Sequence, residues 1–503
     1  MNAAWNLLAH GTPSYGRDPA HLEPTKYSLG FVLSCLPAAP SYHAAITARG
    51  QPLRYTLNVL WTSQYASLLT TASALLLVLL VCQLGYSPVT GLLLGLAYGL
   101  STFAWSNAQR LSGDIQLPVA LQVALIGVLR LHGTRRHRYG LLAGLAMGWA
   151  LLLKPTGALF LPPILCFAVW QEYRQAQGPG DRSWRWRAAL ALALPMVAAG
   201  GIALLYNLWR YDTIVRSGYH IGHDGELGFS TPLLTGLCGL LFSSGKGVFW
   251  YGPVLLLGLC GLPATWRRHG AFTVLLAALL VTNYVVHAKW WAWTGDSAWG
   301  PRFLLATLPL QLLPAAAWLH QHLHSPGAWL RRLRLLVAAA LLGLGIAINW
   351  LGVVVVVDDY LSDITNNWLR MPPPAEAPAP ATWLQEPPAY VIQFVPEFSP
   401  LAGHLWAWRL LRSPGEDWRE IYRQPPWSRL SPKSLSPTPE QRPYWYGIWW
   451  LFSRQVGHPQ ARAFTLVATG LALVALVAAM GLARWCLCAW RATPRQAVAG
   501  SNA

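Results

Sequence analysis

Long apolar runs, each bounded by short polar or basic patches, set the pattern of the chain. Blocks lie at about 56–84, 88–107, 113–131, 139–154, 155–170 and 187–206, then at about 248–264, 270–288, 302–318, 335–357 and 463–485. Most are near the roughly 17–25 residues that carry a helix across the apolar core of a bilayer. The pattern predicts an all-α polytopic membrane protein with about 11 transmembrane helices. Residues 139–170 are read as two passes because "LLLKPTG" at 151–157 interrupts them. Pro155 removes a helix hydrogen bond, and Lys154 resists burial in lipid. The stretch "YSLGFVLSCLPAAP" at 27–40 is too short and Pro-interrupted for a full crossing.

With that split, the basic loops fall on one side. They are "RLHGTRRHR" at 130–138, the region from Arg174 to Arg187, "WRRH" at 266–269, "RRLR" at 331–334 and the tail after Arg484. Short Lys- and Arg-rich loops stay in the cytoplasm. The opposite side receives residues 1–53, 107–113, 207–247, 289–301 and 358–462. The expected organisation is a first outer loop (1–53) and a transmembrane domain (54–357). A Pro-, Trp- and Arg-rich outer, periplasmic region (358–462) follows, then a last helix with a cytoplasmic tail (463–503). The region 358–462 begins near "MPPPAEAPAPATWLQEPPAY", which reads as a stiff extended linker.

Composition supports this reading. Hydrophobic residues make up 54% of the chain and charged ones only 11%, against roughly 25% in soluble domains. The formal charge of +18 would ordinarily raise the question of nucleic acid. Here much of it sits in short loops between spans, so membrane lipids are the expected partner and nucleic acid is not. The seven Cys lie mostly in or beside apolar stretches and show no metal-ligand spacing.

Few acids occur between residues 54 and 357: Asp114, Glu172, Asp181, Asp212, Asp224, Glu226 and Asp296. Glu172 and Asp181 read as solvated charges of a cytoplasmic loop. The other five fall on the outer side, with Lys26, Arg110, Lys154, Arg210, Lys246, Lys289 and Arg302. Charges at span ends need water, a partner or a ligand. Interface snorkelling is the plain explanation for any one of them. Together they outline an outward polar cavity. A carboxylate there can take a proton from an attacking hydroxyl, and Lys or Arg can stabilise a departing lipid-linked phosphate. The segment "HAKWWAWTGDSAWGPR" at 287–302 adds Trp faces for sugars and groups that bind hydroxyls.

The ordered pieces resemble the polytopic GT-C glycosyltransferases, which use polyprenyl-phosphate sugars. Within that superfamily they are similar to bacterial proteins related to protein mannosyltransferases and lipid A aminoarabinose transferases. The pieces are "LEPTKYSLG" (22–30), "NAQRLSGDIQLP" (107–118), "GLAMGWALLLKPTG" (144–157), "LLYNLWRYDTIVRSGY" (204–219), "LLFSSGKGVFWYGPVLLL" (240–257) and "WWAWTGDSAWGPRFLLATLPL" (290–310). Order and spacing agree over about residues 1–357.

The resemblance implies a GT-C-like fold and a polyprenyl-phosphate sugar donor. It implies hexosyl or pentosyl transfer with inversion to a lipid, glycan or protein acceptor, at the periplasmic face of a bacterial inner membrane. Some relatives need a divalent metal. Asp114 matches an acidic outer-loop position and Lys154 a basic position before Pro-Thr. Lys26 and Arg302 are further phosphate candidates, and Asn207, Arg210, Lys246, Trp291 and Asp296 complete the expected substrate site. The family's catalytic Asp follows a first helix that would precede Met1. Roughly 30–60 further residues are therefore expected upstream, enough for a short tail and one span. Asp18 remains as the Asp of the first loop and stands with Asp114 as a candidate base. A transporter or flippase for a lipid-linked sugar, or an inactive structural membrane protein, are the alternative readings.

Overall fold

A computed structural model describes residues 2–15, 23–39, 51–175, 181–214, 228–295, 297–323, 328–357, 360–361 and 392–412, plus 216, 218 and isolated positions between 451 and 481. Among the described residues the fold is helical apart from one antiparallel pairing, Ser14–Tyr15 with Glu23–Pro24. Helices α1 (Asn2–His10) and α2 (Leu29–Cys35) belong to the first loop. The bundle holds α3 (Gln51–Gln83), α4 (Pro88–Leu100), the short α5 (Ala104–Asn107), α6 (Gly113–Thr134), α7 (His137–Leu153), α8 (Leu161–Gln175) and α9 (Asp181–Tyr211). It continues with α10 (Leu233–Phe242), α11 (Val248–Tyr251), α12 (Leu255–Lys289), α13 (Leu308–Leu312), α14 (Ala315–Leu323) and α15 (Ala328–Val354), and α16 (Pro400–Arg412) lies beyond it. Six stretches among the described residues are long and apolar enough to span a bilayer. Leucines such as Leu79, Leu145 and Leu205 stay exposed on their outer faces, as expected of helices that face lipid.

Side-chain contacts fix the helix directions. At the start of α6, Asp114 meets Lys154, just beyond the end of α7. Near the end of α6, His132 meets Glu172 on α8, Nδ1 to Oε1 at 2.6 Å. The chain therefore runs from the His132 end to the Asp114 end in α7 and returns in α8, so 139–170 folds as two antiparallel helices. Glu172 is only 9% exposed. The solvated loop charge expected at this position is instead a buried partner of His132, because the returning helix brings its last turns against α6.

Helix α9 then lies parallel to α7 along a seam of small residues. Gly140 faces Ala188 and Ala191, Gly144 faces the Leu192 carbonyl, and Gly148 faces Pro195 and Ala199. Such residues let two backbones approach without side chains between them.

Helix α12 is not one straight rod. Gly258 abuts the Gln311 carbonyl, and the Tyr284 hydroxyl donates to Gln311 Oε1 at 3.1 Å. In a straight helix residues 258 and 284 would stand about 39 Å apart. The chain breaks at His269 (φ −137°, ψ 48°) and folds back there, at the "WRRH" turn. Phe272, just past the break, touches Phe167, which touches His132. Arg268 lies over Tyr86, and His320 packs edge-on to the same ring. Basic residues of these turns thus collect at the His132 end.

At the opposite end, residues 392–412 dock on the bundle. The Gln393 carbonyl accepts from Gly245 N (2.9 Å) and Ser244 Oγ (3.1 Å), and Phe394 meets Trp293. His404 is fully buried against Trp299, with ring centroids 4.4 Å apart, and Tyr360. Burial pushes its imidazole down to about 3. An unfolded His titrates near 6.5. Between those values the unfolded state binds a proton that the folded state refuses, so stability falls as pH drops below about 6.5. The melting temperature is expected to fall between pH 7.5 and pH 5, and less so in His404→Phe. An equal fall in both proteins would remove His404 as the cause.

Candidate functional site

The site is built around the break between α7 and α8. Pro155 cannot donate to the α7 ladder, and the residue before a proline is pushed to extended backbone. Lys154 accordingly leaves the helix at φ −159°, ψ 140°. Gly157 allows the following turn to fold onto Ala150, since a Cβ there would collide with the Ala150 carbonyl. Lys154 is thereby turned to Asp114, and its Nζ donates to Oδ1 at 2.5 Å. Asp114 occupies the first turn of α6, where free backbone N–H groups favour negative charge. Gly113 beside it lies 3.3 Å, measured from a Cβ position, from the Leu153 carbonyl. A side chain there would make the approach of α6 and α7 at this end tight.

Arg302 reaches the same carboxylate from the Trp-rich loop, with Nε 4.0 Å from Oδ2. Gly295 and Gly300, both at φ +69°, turn the chain before it. Phe303 forms an apolar plate for the group. Its ring lies 4.5 Å from Lys154 Nζ and 5.2 Å from the Arg302 guanidinium, and His287 stacks on it at 4.9 Å. His287 Nδ1 lies 2.9 Å from the Asn283 carbonyl. A carbonyl only accepts, so Nδ1 carries the proton and Nε2 presents a lone pair. Among the described residues that buried Nε2 has no hydrogen-bond partner. Sequence reasoning did not single out His287, although it opens the "HAKWWAWTGDSAWGPR" run, or Phe303, which directly follows that run.

The other expected site residues are placed elsewhere. Lys26, Asn207 and Arg210 line a cavity of about 370 Å³ between the first loop, α7 and α9. Arg210 holds the first loop in place: it donates to the carbonyls of Thr25 (2.7 Å) and Tyr27 (2.8 Å) and to Asn207 Oδ1 (2.6 Å). Lys246 is 1% exposed, and its Nζ donates to the Ala298 carbonyl at 2.5 Å. It braces the loop that leads to Arg302. Trp291 is 39% exposed, and its backbone N–H donates to the Gly228 carbonyl. Asp18 and Asp296 lie outside the described residues. Asp114, Lys154 and Arg302 are therefore the expected residues that converge. Among the described residues no three His, Cys, Asp or Glu side chains gather as metal ligands. Asp114 already faces two cations, which leaves a poor fit for a metal there.

A family model described as dolichyl-phosphate-mannose-protein mannosyltransferase matches residues 56–200. The matched segment contains Asp114 and Lys154 and ends before Asn207, Arg210, Lys246 and Arg302. No curated protein matches the chain.

Proposed function

We propose that the chain transfers a hexosyl or pentosyl group from a polyprenyl-phosphate donor to a lipid, glycan or protein acceptor. The observation that carries this reading is the Asp114 carboxylate held between Lys154 and Arg302 at one end of an apolar bundle. The mannosyltransferase match over the segment holding the first two supports it. The acceptor oxygen bonds to the sugar C1 while the C1–O bond to phosphate breaks. The bonding pair leaves with polyprenyl phosphate, whose added negative charge Lys154 and Arg302 stabilise. The acceptor proton passes to a carboxylate, for which Asp114 and Asp18 are the candidates. A lipid phosphate that draws Lys154 toward itself would leave Asp114 a stronger base. His287 Nε2 is a further acceptor for a substrate hydroxyl. One displacement inverts the anomeric centre.

The test is sugar transfer in membrane vesicles across a panel of polyprenyl-phosphate donors and acceptors. Arg302→Met is expected to lower transfer by about 10²-fold, as for loss of one donor to a developing charge. No transfer by the wild-type chain with any donor would remove the reading.

The reaction belongs on the outer face, in our reading the periplasmic side of a bacterial inner membrane. The basic His132 end then faces the cytoplasm. In otherwise Cys-free protein, Arg135→Cys is expected to react with an impermeant thiol reagent only after the membrane is opened, and Ser230→Cys without opening. The reverse pattern would invert the topology.

A further inference from the structure

The cavity between the first loop, α7 and α9 is separate from the Asp114 cluster. Its wall includes Leu151, Leu152 and Pro155, all within three residues of Lys154, but not Lys154 itself, Asp114 or Arg302. That wall is closed behind. Gly30 of α2 would clash with the Leu152 backbone if it bore a Cβ, and Gly113 lies against Leu153. The last turn of α7 therefore stands between the cavity and the reacting groups.

The lining divides by polarity. Leu29, Leu152, Pro155, Ala158, Ala203 and Leu204 form an apolar floor, with Lys26, Ser28, Asn207 and Arg210 at the edge toward the first loop. No acid lines it. Among the described residues the Lys26 ammonium meets the Tyr27 ring at 5.7 Å, and no ion pair is formed with it. The α9 side is open. A Cβ at Gly201 would touch nothing within 4 Å, and Leu204, Leu205 and Leu208 nearby are 48%, 66% and 44% exposed. Such a face on a spanning helix looks into lipid. About 370 Å³ is within the range of pockets that hold small ligands.

We propose that this cavity is a resident site for one anionic membrane lipid, distinct from the place of sugar transfer. Its first acyl carbons lie on the apolar floor, and its acidic head meets Lys26. The bound lipid fills the space under the first loop and holds that loop against α9 together with the Arg210 clamp. Lys26 is thus a lipid contact rather than a contact of the sugar donor.

Native mass spectrometry of the full chain in detergent tests this, with phosphatidylglycerol, phosphatidylcholine and polyprenyl monophosphate as probes. One phosphatidylglycerol is expected to stay bound where phosphatidylcholine does not. Lys26→Glu, at an exposed position, is expected to weaken phosphatidylglycerol retention by about fivefold or more. Ala203→Trp fills the floor and is expected to abolish retention of any lipid. If that variant does not fold, the Lys26→Glu result decides. Equal retention of the two phospholipids, or unchanged retention in Lys26→Glu, would overturn the proposal. Stoichiometric displacement of phosphatidylglycerol by polyprenyl monophosphate would also overturn it, assigning the cavity to the donor. None of these readings depends on whether the chain transfers sugar.

Discussion

Asparagine at position 114 is expected to cut sugar transfer by about two to four orders of magnitude, the contribution of a positioned proton acceptor. The change keeps the shape of the side chain and an oxygen that can accept from Lys154. It removes the negative charge. Asp114 and Lys154 have side chains only 9% and 12% exposed, and Arg302 stands on the other side of the carboxylate. Two cations are then left facing each other in a poorly solvated place. Breaking one half of a buried pair costs about 3–5 kcal/mol. Asp114→Asn should therefore melt earlier as well as react slowly. Adding Lys154→Met removes the orphaned ammonium, and the double variant should regain stability without regaining transfer. Melting curves in detergent and initial transfer rates separate the two effects. A folded Asp114→Asn protein that transfers at the wild-type rate would exclude Asp114 from the chemistry.

Gly144→Val is expected to prevent the protein from accumulating in the membrane. A Cβ at Gly144 would stand 2.3 Å from the Leu192 carbonyl. The clash is with backbone, which cannot rotate away, so α7 and α9 must separate along their whole seam. Overpacking typically costs about 1–3 kcal/mol, and more where backbone must move, a large share of a marginal stability. Gly343→Ala is the matched control: a Cβ on that α15 glycine meets nothing within 4 Å. Its level in membranes should equal that of the wild type. Equal levels of Gly144→Val and Gly343→Ala would mean that the α7–α9 contact is loose.

Much of the bundle was legible because each span satisfies its own backbone and shows itself as an apolar run. The break at Lys154–Pro155 could be read because a missing N–H and a buried ammonium are local facts. The fold-back at His269 was legible in the same way, from two arginines and a histidine between apolar blocks. Pairings that depend on which helices become neighbours were not legible. Nothing in the sequence near Glu172 points to His132, forty residues earlier, until α8 is seen to return beside α6. Arg210 and Lys246 looked like substrate cations because cations at span ends need partners. Their partners include backbone carbonyls at 25, 27 and 298, and carbonyls carry no mark in a sequence. His287 was overlooked for a related reason. Its proton is taken up within its own helix by Asn283, and only the ring of Phe303 places it near the charged group.

The α7–α9 seam joins the first and third members of a consecutive triplet of helices, with α8 passing between them in the chain but running the other way. That arrangement orders biogenesis. When α7 leaves the insertion machinery its Gly140–Gly144–Gly148 edge has no mate, because the mate has not been synthesised. The mate enters only after α8, whereas both partners of the Asp114–Lys154 pair, on α6 and just beyond the end of α7, precede it in the order of synthesis.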